Sequence, residues 1–351
     1  MKEEAGRHQL ASDNTAGICP EVWTALEQAN LGAAPSYGDD HWTARVRDQV
    51  RELVERDCEI YFSFNGTAAN ALALAQICKS FHSIICHQNA HIQTDECGAP
   101  EFFTKGSKLL LTGGANGKLD LDQLETIVSR QPELHAHKPR AISITQATEF
   151  GTVYTRDEIA AISEFGRRHN LRLHMDGARF ANAIATLGCP LKEITWQAGV
   201  DVLCFGGTKN GLAGAELILF FEKELAAEFD YRLKQAGQLP SKMRFLAAQW
   251  CGLLNGDVWL RNAQHANQMA IRLAERLRLE AKIEIVFPVE ANSVFIPLEK
   301  RIEEALRARG WHFYQFVQPD IYRIMCSWSV SDSDLDEFVS DVVCIRRRLS
   351  V

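Results

Sequence analysis

The stretches Leu171-Arg172-Leu173-His174-Met175-Asp176-Gly177-Ala178-Arg179 and Asp201-Val202-Leu203-Cys204-Phe205-Gly206-Gly207-Thr208-Lys209-Asn210-Gly211 decide the fold. Each is a short apolar run that ends on a chemically active side chain beside glycine. Near-continuous apolar strands of this kind suit a parallel sheet covered on both faces by helices, and ligands in such sheets bind outside the carboxyl ends of the strands. Asp176 and Lys209 therefore sit where chemistry is expected.

Working outward, strand-like and amphipathic segments alternate from about residue 43 to residue 220. A helix is expected at Thr43 to Arg56, then the strand EIYFSF, a helix from Thr67, the strands SIICH and KLLLT, a helix at Asp120 to Arg130, AISIT, and a helix at Arg156 to His169. ELILFF follows the two deciding strands. Beyond about Glu222 come helical segments through Leu246 and Leu277, the strands EIVFP and SVFIPL, a helix at Arg301 to Arg309, YRIMCSW, and a final helix from Ser331. The expected architecture is α/β: a large domain with a mostly parallel sheet covered by helices, plus a smaller α+β C-terminal domain. The expected division is an N-terminal segment 1–20 that contributes to the substrate site, a large domain 21–245 and a small domain 246–351.

Composition narrows the function. With 351 residues, 46% hydrophobic and 24% charged, the chain is long enough for two domains at about 150 residues each and too apolar for disorder. A net charge of -7 argues against a general nucleic-acid surface, and no apolar run approaches the roughly 18 residues of a membrane helix. The opening MKEEAGRHQL does not read as a secretory signal, so a cytoplasmic protein is expected. The ten cysteines are scattered without a C-x-x-C pair, which suits buried reduced thiols, and no metal ligand set is read.

Phe64-Asn65-Gly66-Thr67-Ala68-Ala69-Asn70 adds a third component. A strand ends, and a hydroxyl residue opens an Ala-rich helix whose free N–H groups make a natural phosphate cradle. GGANGKL at 113–119 lacks the spacing and the hydroxyl of a P-loop and reads as a turn. A phosphate cradle, a strand-end carboxylate and a strand-end lysine are the parts required to hold pyridoxal phosphate, whose phosphate, ring nitrogen and aldehyde each need a partner.

With these residues in place, the sequence resembles the low-specificity L-threonine aldolases, pyridoxal-phosphate enzymes of the aspartate-aminotransferase-like fold (fold type I). The resemblance also rests on Ser12-Asp13-Asn14, Tyr37-Gly38-Asp39-Asp40 with Thr43, Ala90-His91, and Tyr322-Arg323. It implies that Lys209 carries the covalent link to the cofactor, Asp176 pairs with the ring nitrogen, His91 stacks on the ring, and Gly66 and Thr67 hold the phosphate. It places Arg179 beside the cofactor and the substrate carboxylate, with Ser12 and Arg323 completing the carboxylate clamp and Tyr37 on the substrate side. Lys242 or Arg244, in KQAGQLPSKMR, fills the place of a basic residue given to a neighbouring subunit's phosphate; a solvated helix end is the alternative.

Where many relatives carry E-N-T-H-N-G, this chain has Gln146-Ala147-Thr148-Glu149-Phe150-Gly151, so Glu149 replaces a histidine that contacts the substrate's β-hydroxyl. The turn T-K-N-G at Lys209 also differs from the commoner S-K-G. The group that takes the β-hydroxyl proton is His91, Glu96 or Glu149. The implied reaction is retro-aldol cleavage of L-threonine, L-allo-threonine and related β-hydroxy-α-amino acids to glycine and an aldehyde, in a homotetramer with sites between subunits. The alternative is another lyase on the same scaffold, a β-eliminating lyase or an aldolase for phenylserine or hydroxyaspartate.

Overall fold

A computed structural model describes residues 8–130 and 134–349. The first seven residues of the N-terminal segment, including most of the opening read for a signal, lie outside the described residues. The large sheet contains β1 (Glu59–Ser63), β2 (His82–His87), β3 (Lys108–Thr112), β4 (Lys138–Thr145), β5 (Arg172–Gly177), β6 (Val202–Gly206) and β7 (Glu216–Phe220). Its order is β1-β7-β6-β5-β4-β2-β3. The ladders β6–β5–β4–β2–β3 are parallel, and β7 runs antiparallel to both β6 and β1. β6 and β7 are buried along their whole length, as expected of strands covered on both faces.

A second sheet places β10 (Ile321–Met325) between β8 (Ser293–Pro297) and β9 (Tyr314–Val317), all antiparallel. The segment EIVFP, expected as a strand, is not one. Val286 donates a single backbone hydrogen bond to the Phe295 carbonyl at 2.9 Å, and Pro288 has no N–H to continue a ladder. Phe287 anchors the segment through its ring instead, packing on Phe150 and Phe295 at centroid distances of 4.6 and 5.2 Å.

Besides the core that packs the helix Gly66–Ile77 on the large sheet, two further cores support the site. One joins the large sheet to the helices Pro20–Ala29, His41–Val54 and Arg244–Leu254; the other lies under the small sheet. The helix Val258–Leu279 enters both: Val258, Trp259 and Ala263 belong to the first, Met269 through Leu277 to the second. The N-terminal strand segment ties the two together. Leu10 donates to the His312 carbonyl at 3.0 Å and accepts from the Met325 amide at 2.8 Å, which carries the following Ser12 and Asp13 from the small sheet toward the large one.

Candidate active site

Asp176 and Lys209 leave the sheet at the carboxyl ends of adjacent strands, and the turns that carry them press together. A Cβ on Gly206 would stand 2.6 Å from the Ala178 carbonyl oxygen, so only glycine lets the turn after β6 lie against the turn after β5. Lys209 sits in the single-turn helix Thr208–Asn210. Its amine has no hydrogen-bond partner among the described residues, and its neighbours include Arg179, Asp13, Asp176 and Glu216. Burial, and then the Arg179 charge, pull its pKa below the usual lysine value despite those carboxylates. A half-buried, unpaired amine of lowered basicity is a nucleophile in waiting. Glu216 braces the lysine turn by accepting from the Gly207 amide at 2.6 Å, and burial lifts its pKa to about 7.

Asp176 is fixed at both oxygens. Oδ1 accepts from the Ala178 amide at 2.9 Å and Oδ2 from Asn70 Nδ2 at 2.9 Å. Asn70 also donates to Glu96 Oε1 at 2.8 Å, and the same oxygen meets His91 Nδ1 at 2.9 Å. A chain Asp176–Asn70–Glu96–His91 thus runs beneath the site, with ligand atoms of His91, Glu96 and Asp176 within 4.8 Å of one another. The hydrogen bond to Glu96 raises the His91 pKa above the usual histidine value. Burial raises that of Glu96, outweighing His91.

Asn65, rather than Thr67, caps the helix Gly66–Ile77: its side chain accepts from the Ala68 amide at 2.9 Å. A Cβ at Gly66 would meet nothing within 4 Å, so the space over the first turn is open. The N–H groups of Gly66 and Thr67, in the first turn, have no acceptor among the described residues, as an anion cradle requires. The nearby segment 234–244 is linked to the strand before the cradle by Phe64 N–H donating to Gln238 Oε1 at 2.9 Å. Arg244 Nε is buried without an acceptor, and Lys242 is exposed. Tyr37 joins this region, not the group around Lys209: its ring lies under Lys234 Nζ at 4.5 Å and its amide donates to the Ser241 carbonyl.

On the substrate side, Arg323 comes from the middle of β10 and lies over the Phe316 ring at 4.9 Å. Its Nε is buried with no acceptor among the described residues, and burial, followed by the Arg179 charge, brings its pKa down to about 10. Such a guanidinium lacks the anion it is built to meet. Arg179 is already engaged by buried Asp13, which sequence reading passed over in favour of Ser12: Nε donates to Oδ2 at 2.7 Å and Nη2 to Oδ1 at 3.0 Å. Asn292 adds a bond to the same Oδ2 at 3.1 Å. Burial opposes ionisation of Asp13, but Arg179 and Lys209 outweigh it and lower its pKa. Ser12 caps the short helix Asp13–Thr15, its hydroxyl oxygen accepting from Asn14.

Glu149 Oε1 accepts from the His91 amide at 2.8 Å and from Thr145 Oγ1 at 2.9 Å. Its Oε2 is buried and unpartnered, and burial pushes the carboxyl pKa up to about 7. This places at the carboxyl end of β4 a group able to exchange a proton near neutrality.

A strand-end carboxylate, a lysine in the turn after the next strand and an open helix terminus mark a class, and the chain belongs to the beta-eliminating lyase family, whose model matches residues 9–301. Within it the chain stands with the low-specificity L-threonine aldolases. It is 56% identical over 334 residues to the low specificity L-threonine aldolase of Pseudomonas aeruginosa, covering 95% of this chain and 96% of that one. The structure superposes on a Leishmania major threonine aldolase with a TM-score of 0.91 at 27% identity, covering 98% of this chain and all of that one. A putative aminotransferase from Clostridium difficile, solved with PLP bound, shares the fold alone, at a TM-score of 0.70 and 13% identity over 93% of this chain and 89% of that one.

Proposed function

We propose that this chain is a pyridoxal-phosphate-dependent aldolase that cleaves L-threonine, L-allo-threonine and related β-hydroxy-α-amino acids to glycine and an aldehyde. The observation that carries the reading is the Lys209 amine, half-buried and uncommitted between Asp176, Glu216 and the Asp13–Arg179 pair. The residues fit the cofactor. Lys209 would bind its aldehyde carbon, Asp176 its ring nitrogen, His91 its ring face, and Gly66 and Thr67 its phosphate. When bound, pyridoxal phosphate takes up the electron pair left on the substrate's α-carbon when the Cα–Cβ bond breaks.

The protein's own groups do the rest. Arg323, with Ser12 beside Asp13, binds the substrate carboxylate and so orients the bond to be broken; its orphaned Nε supports that role. Arg179, held at Nε and Nη2 by Asp13, is a rigid positive charge with Nη1 left for cofactor or substrate oxygen. Glu149 Oε2 accepts the β-hydroxyl proton, while Glu96 holds His91 at Nδ1 and leaves Nε2 as the second group able to move that proton. The Asp176–Asn70–Glu96 chain keeps Asp176 aimed at the ring nitrogen.

The active assembly is a homotetramer whose sites lie between subunits. The exposed Tyr37 and Phe64 and the buried, unpartnered Arg244 Nε support an interface at segment 234–244, which would offer Lys242 or Arg244 to a neighbouring subunit's phosphate. The protein acts in the cytoplasm; ten free cysteines favour a reducing compartment, and no helix among the described residues is long and apolar enough to cross a membrane. Product analysis tests the reaction. L-threonine should yield equal glycine and acetaldehyde, whereas pyruvate from β-chloroalanine as the dominant reaction would favour a β-eliminating lyase.

A further inference from the structure

We propose that a cavity at the edge of the large sheet opposite the active site binds a compact, multiply charged phosphate anion. The active-site residues leave from the carboxyl ends of β4, β5 and β6. The cavity, with a volume of about 340 Å³, lies at the other ends of these strands. It is lined by Arg140 near the start of β4, Arg172 at the start of β5, Asp201 just before β6, and Glu222 just after the antiparallel β7. Arg56, beyond the helix His41–Val54, and Arg167, in the last turn of the helix Arg156–Arg168, complete its charged lining.

Four guanidinium groups against two carboxylates leave this cavity positive on a chain whose net charge is -7. The two carboxylates already have a shared partner. Arg172 Nη1 donates to Asp201 Oδ1 at 2.7 Å and to Glu222 Oε2 at 3.0 Å, and Asp201 Oδ2 accepts from the Leu173 amide at 2.7 Å. Arg56 and Arg140 are tethered to neutral groups instead. Arg56 Nε donates to the Phe221 carbonyl at 3.0 Å and Arg140 Nη1 to the Asn170 carbonyl at 3.2 Å. Carbonyl tethers fix the direction of a guanidinium without cancelling its charge, which leaves the remaining N–H groups for an oxyanion. Arg167 is exposed and takes part in none of the ion pairs among the described residues.

The cavity also selects for size. Its aromatic wall, Trp196, is held by Nε1 donating to the Val54 carbonyl at 2.8 Å, and its ring is covered by Arg56 at 4.9 Å. With that face taken, a nucleotide base gains no stacking, and a compact oxyanion of the pyrophosphate or sugar-phosphate kind is the better occupant. Through Arg56, Arg167, Arg140 and Arg172 such a ligand would join the ends of two helices to the starts of two strands, so binding stabilises the large domain by mass action.

The test is calorimetric titration and thermal melting of the enzyme saturated with its active-site cofactor, at constant ionic strength, with pyrophosphate as probe and citrate as the polycarboxylate comparison. One saturable site and a raised Tm are expected. The double variant Arg140→Gln with Arg167→Gln should weaken pyrophosphate by about tenfold or more, and Arg167→Glu alone should do likewise, with threonine cleavage unchanged. Both positions are only partly buried or exposed, so folding is not in question. Absence of saturable binding at millimolar pyrophosphate, an affinity unaltered in both variants, or tighter binding of citrate than of pyrophosphate would overturn the proposal.

Discussion

Asp13 holds Arg179 through both carboxylate oxygens across 166 residues of sequence, at 2.7 and 3.0 Å, and is itself 1% exposed. Removing one member of a buried charged pair strands the other, at a cost of about 3–5 kcal/mol. Asp13→Ala should therefore lower stability by about 3 kcal/mol and reduce kcat/KM by about a hundredfold, while Asp13→Asn should be milder on stability. Denaturant melts and steady-state kinetics on the two variants measure this; a fully active, fully stable Asp13→Ala would remove the pair from the account.

Arg323 presents a different test, because its Nε has no protein acceptor to lose. Arg323→Gln should leave the fold and cofactor affinity intact and raise KM for threonine by about tenfold to a hundredfold. An unchanged KM would place the substrate carboxylate elsewhere.

For Glu149, the pKa near 7 sets a pH window. A carboxyl whose folded pKa is raised is easier to bury protonated, so its contribution to stability is largest below the ordinary glutamate range and is lost as pH rises through about 7. Activity runs the other way, since only the ionised carboxylate accepts a proton. kcat/KM should climb between about pH 6 and about pH 8, roughly one unit either side of the group, and Glu149→Gln should flatten that limb and lower turnover by about a hundredfold with cofactor still bound.

His91 is the competing candidate for the proton transfer, and its two proposed functions separate by variant. Loss of the ring in His91→Asn should weaken cofactor affinity and turnover together. Glu96→Gln removes the partner that raises the His91 pKa, so any histidine limb in the pH profile should move to lower pH. If His91→Asn instead keeps full cofactor affinity and loses turnover while Glu149→Gln retains it, His91 carries the proton transfer.

The sheet was legible because β6 is apolar throughout and β5 sets Leu173 and Met175 among few polar residues, and Asp176 and Lys209 were legible because the first closes β5 before Gly177 and the second sits in the glycine-flanked turn just after β6. Helix ends were legible to within a few residues, as at Arg156–Arg168 with its capping Thr155. What escaped depends on separation in sequence. Nothing local in Ser12-Asp13-Asn14 says that Asp13 will meet Arg179, nor does the Ala-rich helix announce that Asn70 will bridge Asp176 and Glu96. Val286 and its neighbours have the composition of a strand, but aromatic packing and Pro288 keep EIVFP out of the ladder. Tyr37 shares a motif with Asp40, yet Asp40 spends its carboxylate on capping Thr43 while the Tyr37 ring goes to Lys234.

Lys209 is the amine proposed to carry the cofactor. Holoenzyme reduced with borohydride and digested should show the cofactor's mass fixed on the peptide containing Lys209, and Lys209→Ala should fold, retain no covalently captured cofactor and cleave no threonine. Capture at another lysine, or threonine cleavage surviving in Lys209→Ala, would contradict it.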